Sequence, residues 1–240
     1  IEGAAPPHNQ LMITGGISGA LDMLCAQLSR PGDAVLVEAP TYHLALRVFR
    51  DRGLQIVAVP GDADGMQVDA AAATLRRLRA AGVRVAFLYV VASFGNPSGA
   101  LLAPERRAAL AALSRDEGLW LLEDDAYGEL WHDEPPPAAL FSHGPAARVV
   151  RLGSYAKLLA PGLRLGWMLA APALVARCSD AGVLDSGGGV NHVSAMILAQ
   201  LLESGFLDGH VAGLRDTLRA RRDALLAALA RELPAGCSSS

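Results

Sequence analysis

Short runs of β-branched and apolar residues alternate with alanine- and leucine-rich amphipathic runs along nearly the whole chain. That alternation restricts the architecture severely. Strands joined through helical crossovers pair in parallel, and the helices must cover the sheet they connect. The expected fold is α/β, a mostly parallel (mixed) sheet with helices on both faces. Strands are expected at 11–14, 34–38, 54–59, 83–91, 119–123, 148–152 and 165–170. Helices are expected at 18–28, from a Thr41 cap to Arg50, at 69–81, at 104–117 behind Pro104, and at 172–178, 190–203 and 206–233. Segments 31–33 and 61–65 read as turns, and the glycine-rich 185–189 as flexible or close to a ligand.

The 240 residues are 52% hydrophobic and 19% charged, enough for one large domain, or one and a fraction, with a sizeable core. A net charge of −3 and the lack of any basic run argue against a nucleic-acid partner. No apolar run approaches the ~18 residues of a membrane span, and residues 1–8 do not resemble a signal peptide. Cys25, Cys178 and Cys237 are scattered without metal spacing, as in a reduced, cytoplasmic protein. Both ends read as cut from a longer chain.

In open α/β sheets, ligands bind beyond the carboxyl ends of the strands, and five polar clusters follow expected strands. The most telling is 153–167, which places Lys157 three residues after Ser154 and seven before Arg164, in a run nearly free of other charge. Apolar neighbours ease deprotonation of an amine, and a neutral lysine forms a Schiff base with a carbonyl. The flanking hydroxyl and guanidinium suit a phosphate. The turn Gly16-Ile17-Ser18 opens a helix, where free N–H groups attract phosphate. Tyr42 can stack on a flat ring, and Asn96 offers an amide to a ring oxygen. A carboxylate in 123–125 at the end of an apolar strand is costly to desolvate unless a cation meets it, such as a protonated pyridine. Tyr127 could donate to the phenolic oxygen of the same ring. Taken singly, each cluster has a plainer reading: a glycine turn capped by Ser18, a packed tyrosine, a simple turn, a helix-capping aspartate, a structural lysine. One small molecule accounts for all five, pyridoxal 5'-phosphate.

On the segments Asn96-Pro97-Ser98-Gly99, Asp124-Asp125-Ala126-Tyr127 and Ser154-Tyr155-Ala156-Lys157 with Arg164, the chain resembles the large domain of a fold-type-I, pyridoxal-phosphate-dependent aminotransferase of class I/II. The resemblance runs from about Thr14 to Leu233. Residues 123–130 and 160–167 resemble the branch holding 2-aminoadipate, aromatic and branched-chain aminotransferases. It implies amino-group transfer between an amino acid and a 2-oxo acid by a homodimer. It also implies a cofactor-binding large domain over 1–205, and a helix over 206–240 leading to a small domain. Lys157 would hold the cofactor as a Schiff base and then move a proton at the substrate Cα. Asp124 would keep the pyridine nitrogen protonated, so that the ring acts as an electron sink. Asn96 and Tyr127 would contact the ring oxygen, Tyr42 the ring face, and Gly16, Ile17, Ser18, Ser154 and Arg164 the phosphate.

The chain departs from the family pattern at two places. Ile17 and Ser18 stand where the family has a small polar residue and glutamine, and Ala92-Ser93-Phe94-Gly95 replaces Pro-Asn-Phe-Gln. Family members also carry an N-terminal segment and the small domain, whose arginine binds the substrate carboxylate. Neither lies in these 240 residues, so this stretch alone is expected to hold the cofactor poorly and transaminate little or not at all. Two other readings use the same fold. One is the effector domain of a GntR/MocR-type transcription regulator, which typically carries His-Gln-x-Pro-Thr-Gly and Glu-Asp-Asp-Tyr-Asp at the matching sites. The other is a pyridoxal-phosphate-dependent lyase.

Overall fold

A computed structural model describes residues 6–144 and 148–234. Its strands are β1 (Leu11–Thr14), β2 (Ala34–Ala39), β3 (Gln55–Asp62), β4 (Gly65–Met66), β5 (Val85–Val90), β6 (Trp120–Asp125), β7 (Val149–Ser154) and β8 (Gly166–Leu169). Its helices are α1 (Gly16–Leu28), α2 (His43–Asp51), α3 (Val68–Ala80), α4 (Pro104–Glu117), α5 (Pro172–Ser179), α6 (Gly182–Asp185), α7 (His192–Glu203) and α8 (Phe206–Glu232). The strands form one mixed sheet in the order β1-β8-β7-β6-β5-β2-β3-β4.

The central strands pair in parallel. All six residues of β5 are buried, the mark of a strand covered on both faces. Helices α1, α2 and α5 close one face over Leu21, Leu24, Phe49, Leu122 and Met168. Helices α3 and α4 close the other over Leu75, Leu88, Leu110 and Leu121. Pro104 opens α4, where a missing N–H costs nothing, and Gly118 ends it in the left-handed region at φ 60°.

Two features of the topology build the site. First, β2 has β3 on one side and β5 on the other. The chain therefore reverses its direction of travel across the sheet between β2 and β5, the place where such sheets open a crevice. Second, β8 runs antiparallel to both β7 and β1, pairing Gly166 with Ser154 and with Thr14. The loop leading into β8, with Arg164, thus arrives at the edge where β1 and β7 end.

Several expectations need correction. Thr41 does not cap α2: Tyr42 occupies that position with extended backbone and no side-chain cap, while the Thr41 hydroxyl is buried without a partner. Segment 61–65 is more than a turn, because Gly65–Met66 pairs back on β3 as a two-residue strand too short to show a period. The single turn of α6 occupies residues expected to be loop. Gly188 and Gly189 line a groove against β1 and α1, separate from the pocket around Lys157. Among the described residues no helix is long and apolar enough to cross a membrane, and no His/Cys/Asp/Glu group could hold a metal. Cys25 and Cys178 are buried and free. Cys237 and the expected chain end beyond Pro234 lie outside the described residues.

Candidate active site

One pocket opens beyond the carboxyl ends of β1, β2, β5, β6 and β7. Every one of the ten residues singled out from the sequence lines it, from Gly16, Ile17 and Ser18 at the start of α1 to Arg164. Val91, Ala126, Ala156 and Pro161 complete the lining.

The anionic end is built on backbone geometry. Gly15 caps α1 with no side-chain hydrogen bond, so the first N–H groups of the helix remain available to an anion. Gly16 has φ +73°, a region that L side chains rarely adopt, and a Cβ there would lie 3.3 Å from the Arg164 guanidinium. Gly166 is needed for a different reason: a Cβ on it would sit 2.6 Å from the Gly153 carbonyl and 2.8 Å from Gly16 Cα. The absence of a side chain there lets α1 approach the end of β7. Arg164 itself is left-handed at φ 53°, after the 3-10 turn Pro161–Leu163, and its guanidinium is exposed. Ser154, at the end of β7, is buried and its Oγ accepts the Ala156 N–H at 3.1 Å. A helix start, a guanidinium and a hydroxyl converge on one spot, which suits a phosphate.

The opposite end is cationic in preference. Asp124 is 4% exposed. Its Oδ2 accepts the Tyr89 hydroxyl at 2.6 Å, while its Oδ1 is buried and makes no hydrogen bond. Burial pushes this carboxyl up to about 6. The Tyr89 hydrogen bond opposes that rise, neighbouring Asp125 adds to it, and the Ala126 N–H opposes it. A buried acceptor without a partner is rare and costs about 1–3 kcal/mol. A protonated ring nitrogen would satisfy it.

Tyr42 lies at the N-terminus of α2, half-buried beside the pocket. Burial raises its phenol, as do Tyr127 and Asp124, and Arg164 lowers it. Those couplings place both ends of the pocket within electrostatic reach of its ring. Lys157 follows β7 in the turn that also carries Ala156, and it is exposed. Its sequence neighbours suggested an apolar enclosure; Ala156 and Pro161 do line the same pocket, but Tyr155 and Leu158 line a different one and Lys157 is exposed.

Tyr89 lies outside the residues expected from the sequence, although the sequence carries a signal for it. A tyrosine within the most apolar strand must bring its hydroxyl to a partner or leave it orphaned. The groups present fit pyridoxal phosphate. An anion site, an unpartnered buried carboxylate oxygen, a flanking tyrosine face and an accessible amine lie around one cavity.

The sequence profile of the family described as aminotransferase class I and II matches residues 5–239. The chain is 34% identical over 226 residues to aromatic-amino-acid aminotransferase 1 of Thermococcus litoralis, covering 94% of this chain and 54% of that one. It is 31% identical over 221 residues to the HTH-type transcriptional regulator YisV of Bacillus subtilis, itself uncharacterized, covering 92% and 44%. Among solved structures it superposes on the α-aminoadipate aminotransferase LysN of Thermus thermophilus, complexed with N-(5'-phosphopyridoxyl)-L-leucine, with a TM-score of 0.82 and 34% identity. That match covers 94% of this chain and 57% of LysN. The chain thus spans about half the length of the curated relatives it matches. With residues 5–239 matched by the family profile and the fold shared, this chain belongs to the class I and II aminotransferase family.

Proposed function

We propose that the protein containing this chain is a pyridoxal-phosphate-dependent aminotransferase, moving an amino group between an amino acid and a 2-oxo acid. The observation that carries this reading is the unpartnered, buried Oδ1 of Asp124 in the same pocket as Lys157 and Arg164. The cofactor, when bound, supplies an aldehyde and an electron-withdrawing ring. The Lys157 amine would hold the cofactor through its aldehyde and, when free of it, would carry the proton that leaves the substrate Cα. Its exposure would give it room for both tasks. The Asp124 carboxylate would meet the ring nitrogen and keep a proton on it. Asn96 and Tyr127 would orient the ring through its oxygen, and Tyr42 would cover one face. Gly16, Ile17 and Ser18, with Ser154 and Arg164, would bind the phosphate.

We assign 1–205 to the cofactor-binding large domain and 206–240, opened by the helix α8, to the connection toward a small domain. We place the protein in the cytoplasm as a homodimer. A regulator's effector domain is the second reading, favoured by the likeness to YisV. The enzyme reading draws on the Asp124–Tyr127 and Asn96–Gly99 segments, which differ from the runs typical of such regulators.

The test is to express the full-length gene, reduce the protein with borohydride and map the modified peptide. The expected pyridoxyl group is on Lys157, and its appearance on another residue overturns the proposal. An amino-donor panel with 2-oxoglutarate then separates aminotransferase from lyase and sensor. Lys157→Ala should abolish covalent attachment and lower turnover by about 10²–10⁴-fold, the usual contribution of a positioned acid–base group.

A further inference from the structure

We infer that Tyr89 is the residue that positions Asp124 for the cofactor, fixing one carboxylate oxygen so that the other is presented to the ring nitrogen. The inference rests on the reading of the pocket as a pyridoxal phosphate site.

Tyr89 does not line the pocket. It lies in the middle of β5, 0% exposed, and its hydroxyl reaches Asp124 on the neighbouring strand, 35 residues away in sequence. The register makes this possible. Tyr89 pairs with Leu122 across the β5–β6 ladder, so Asp124 is the next residue along β6 on the same face. The phenol has little freedom to leave. Phe49 packs edge-on against it with ring centroids 5.4 Å apart, and Phe49 in turn packs on Phe87 at 5.5 Å.

A phenol that donates to a carboxylate does two things. It removes the rotational choice of the carboxyl group, since one oxygen is tied at 2.6 Å and the second must then face the cavity. It also favours the ionised form, which burial alone disfavours. A ring cation needs that ionised form. Tyr89 is the one described side chain that hydrogen-bonds Asp124, and the Ala126 N–H is the backbone donor beside it.

The test uses the full-length protein and titrates pyridoxal phosphate into Tyr89→Phe, Asp124→Asn and the double variant, following binding by absorbance as a function of pH. Loss of a hydrogen bond to a charged group predicts about tenfold weaker binding for Tyr89→Phe. The sign of the pH effect follows from the charge. Without its donor, Asp124 protonates more readily, so the affinity of Tyr89→Phe falls off at higher pH than that of the wild type. In the Asp124→Asn background, Tyr89→Phe should add nothing, because the effect runs through the carboxylate. Phe87→Leu loosens the same aromatic layer without touching the hydroxyl; it should lower the melting temperature and leave the pH profile in place. The inference is overturned if Tyr89→Phe keeps the wild-type affinity and profile, or if its effect persists undiminished beside Asp124→Asn. A wild-type protein that binds no pyridoxal phosphate overturns the reading of the pocket itself, a distinguishable result.

Discussion

Glu123 and Asp124 are neighbours on β6, both carboxylates, both nearly sealed from solvent, and the protein treats them in opposite ways. Glu123 points to the α4 side. Its two oxygens accept the N–H groups of Leu140 at 2.9 Å and Phe141 at 3.2 Å, and the Arg107 guanidinium lies 3.6 Å away. Arg107 is 1% exposed and donates in addition to the carbonyls of Leu102 and Ala92 and to Ser93 Oγ. This network ties the segment after β5, the start of α4 and the loop at 138–141 to the end of β6. Asp124 points to the α1 side, where one oxygen is held by Tyr89 and the other has no partner. The lesson is that burial alone does not tell the two carboxylates apart. The count of satisfied oxygens does.

The contrast can be broken in several ways. Arg107→Met should have the largest effect, because it takes the counter-charge from a buried carboxylate and the donor from the buried Leu102 and Ala92 carbonyls: a loss of about 3–5 kcal/mol, read from urea denaturation as a lower midpoint at unchanged slope. Cofactor affinity per folded molecule should change little, since Arg107 does not line the Lys157 pocket. A large affinity loss at full stability would collapse the distinction between the two carboxylates.

Asp124→Asn should act in the other direction on the cofactor-free protein. Burial raises the Asp124 carboxyl from 3.8 to about 6. The folded state therefore binds that proton more tightly than the unfolded chain. Its stability contribution is full below the unfolded value and is lost as pH rises to about 6. Asparagine has no such loss, so the variant should be more stable than wild type above that pH by about 1–3 kcal/mol. The difference should vanish in acid, and the cofactor should bind more weakly. Denaturation series across pH check the sign, and a destabilised variant at neutral pH would contradict it.

The smallest effect belongs to Gly16→Ala. Adopting φ +73° with a Cβ costs about 1–2 kcal/mol and presses on the Arg164 guanidinium. Phosphate or cofactor affinity should fall, while the Glu123 network is untouched.

Much of this was legible in the chain itself, and the reasons are local. Pro104, the β-branched runs and the amphipathic spacing specify elements whose bounds shift by only a residue or two, apart from β3, which runs on to Asp62. The residues after each strand were recognisable because a strand end is where polar groups interrupt an apolar run. What stayed hidden depended on contacts distant in sequence. Thr41 looks like a cap, yet Tyr42 takes that position. The turn of α6 and the two residues of β4 are too short to carry a period. Tyr89 could be suspected only from an unpartnered hydroxyl in an apolar strand.

The sequence by itself determined the alternating elements, the polar residues at their ends, and the local spacing that sets Ser154, Lys157 and Arg164 close together. Those follow from short-range backbone and side-chain preferences. Only the tertiary structure decided which of three consecutive acidic residues looks into the pocket. Alternation on a strand puts 123 and 125 on one face and 124 on the other, but which face meets the crevice depends on how β6 registers against β5 and β7. It also decided that Lys157 stands exposed, because side chains around a turn are distributed by packing and not by adjacency in the chain.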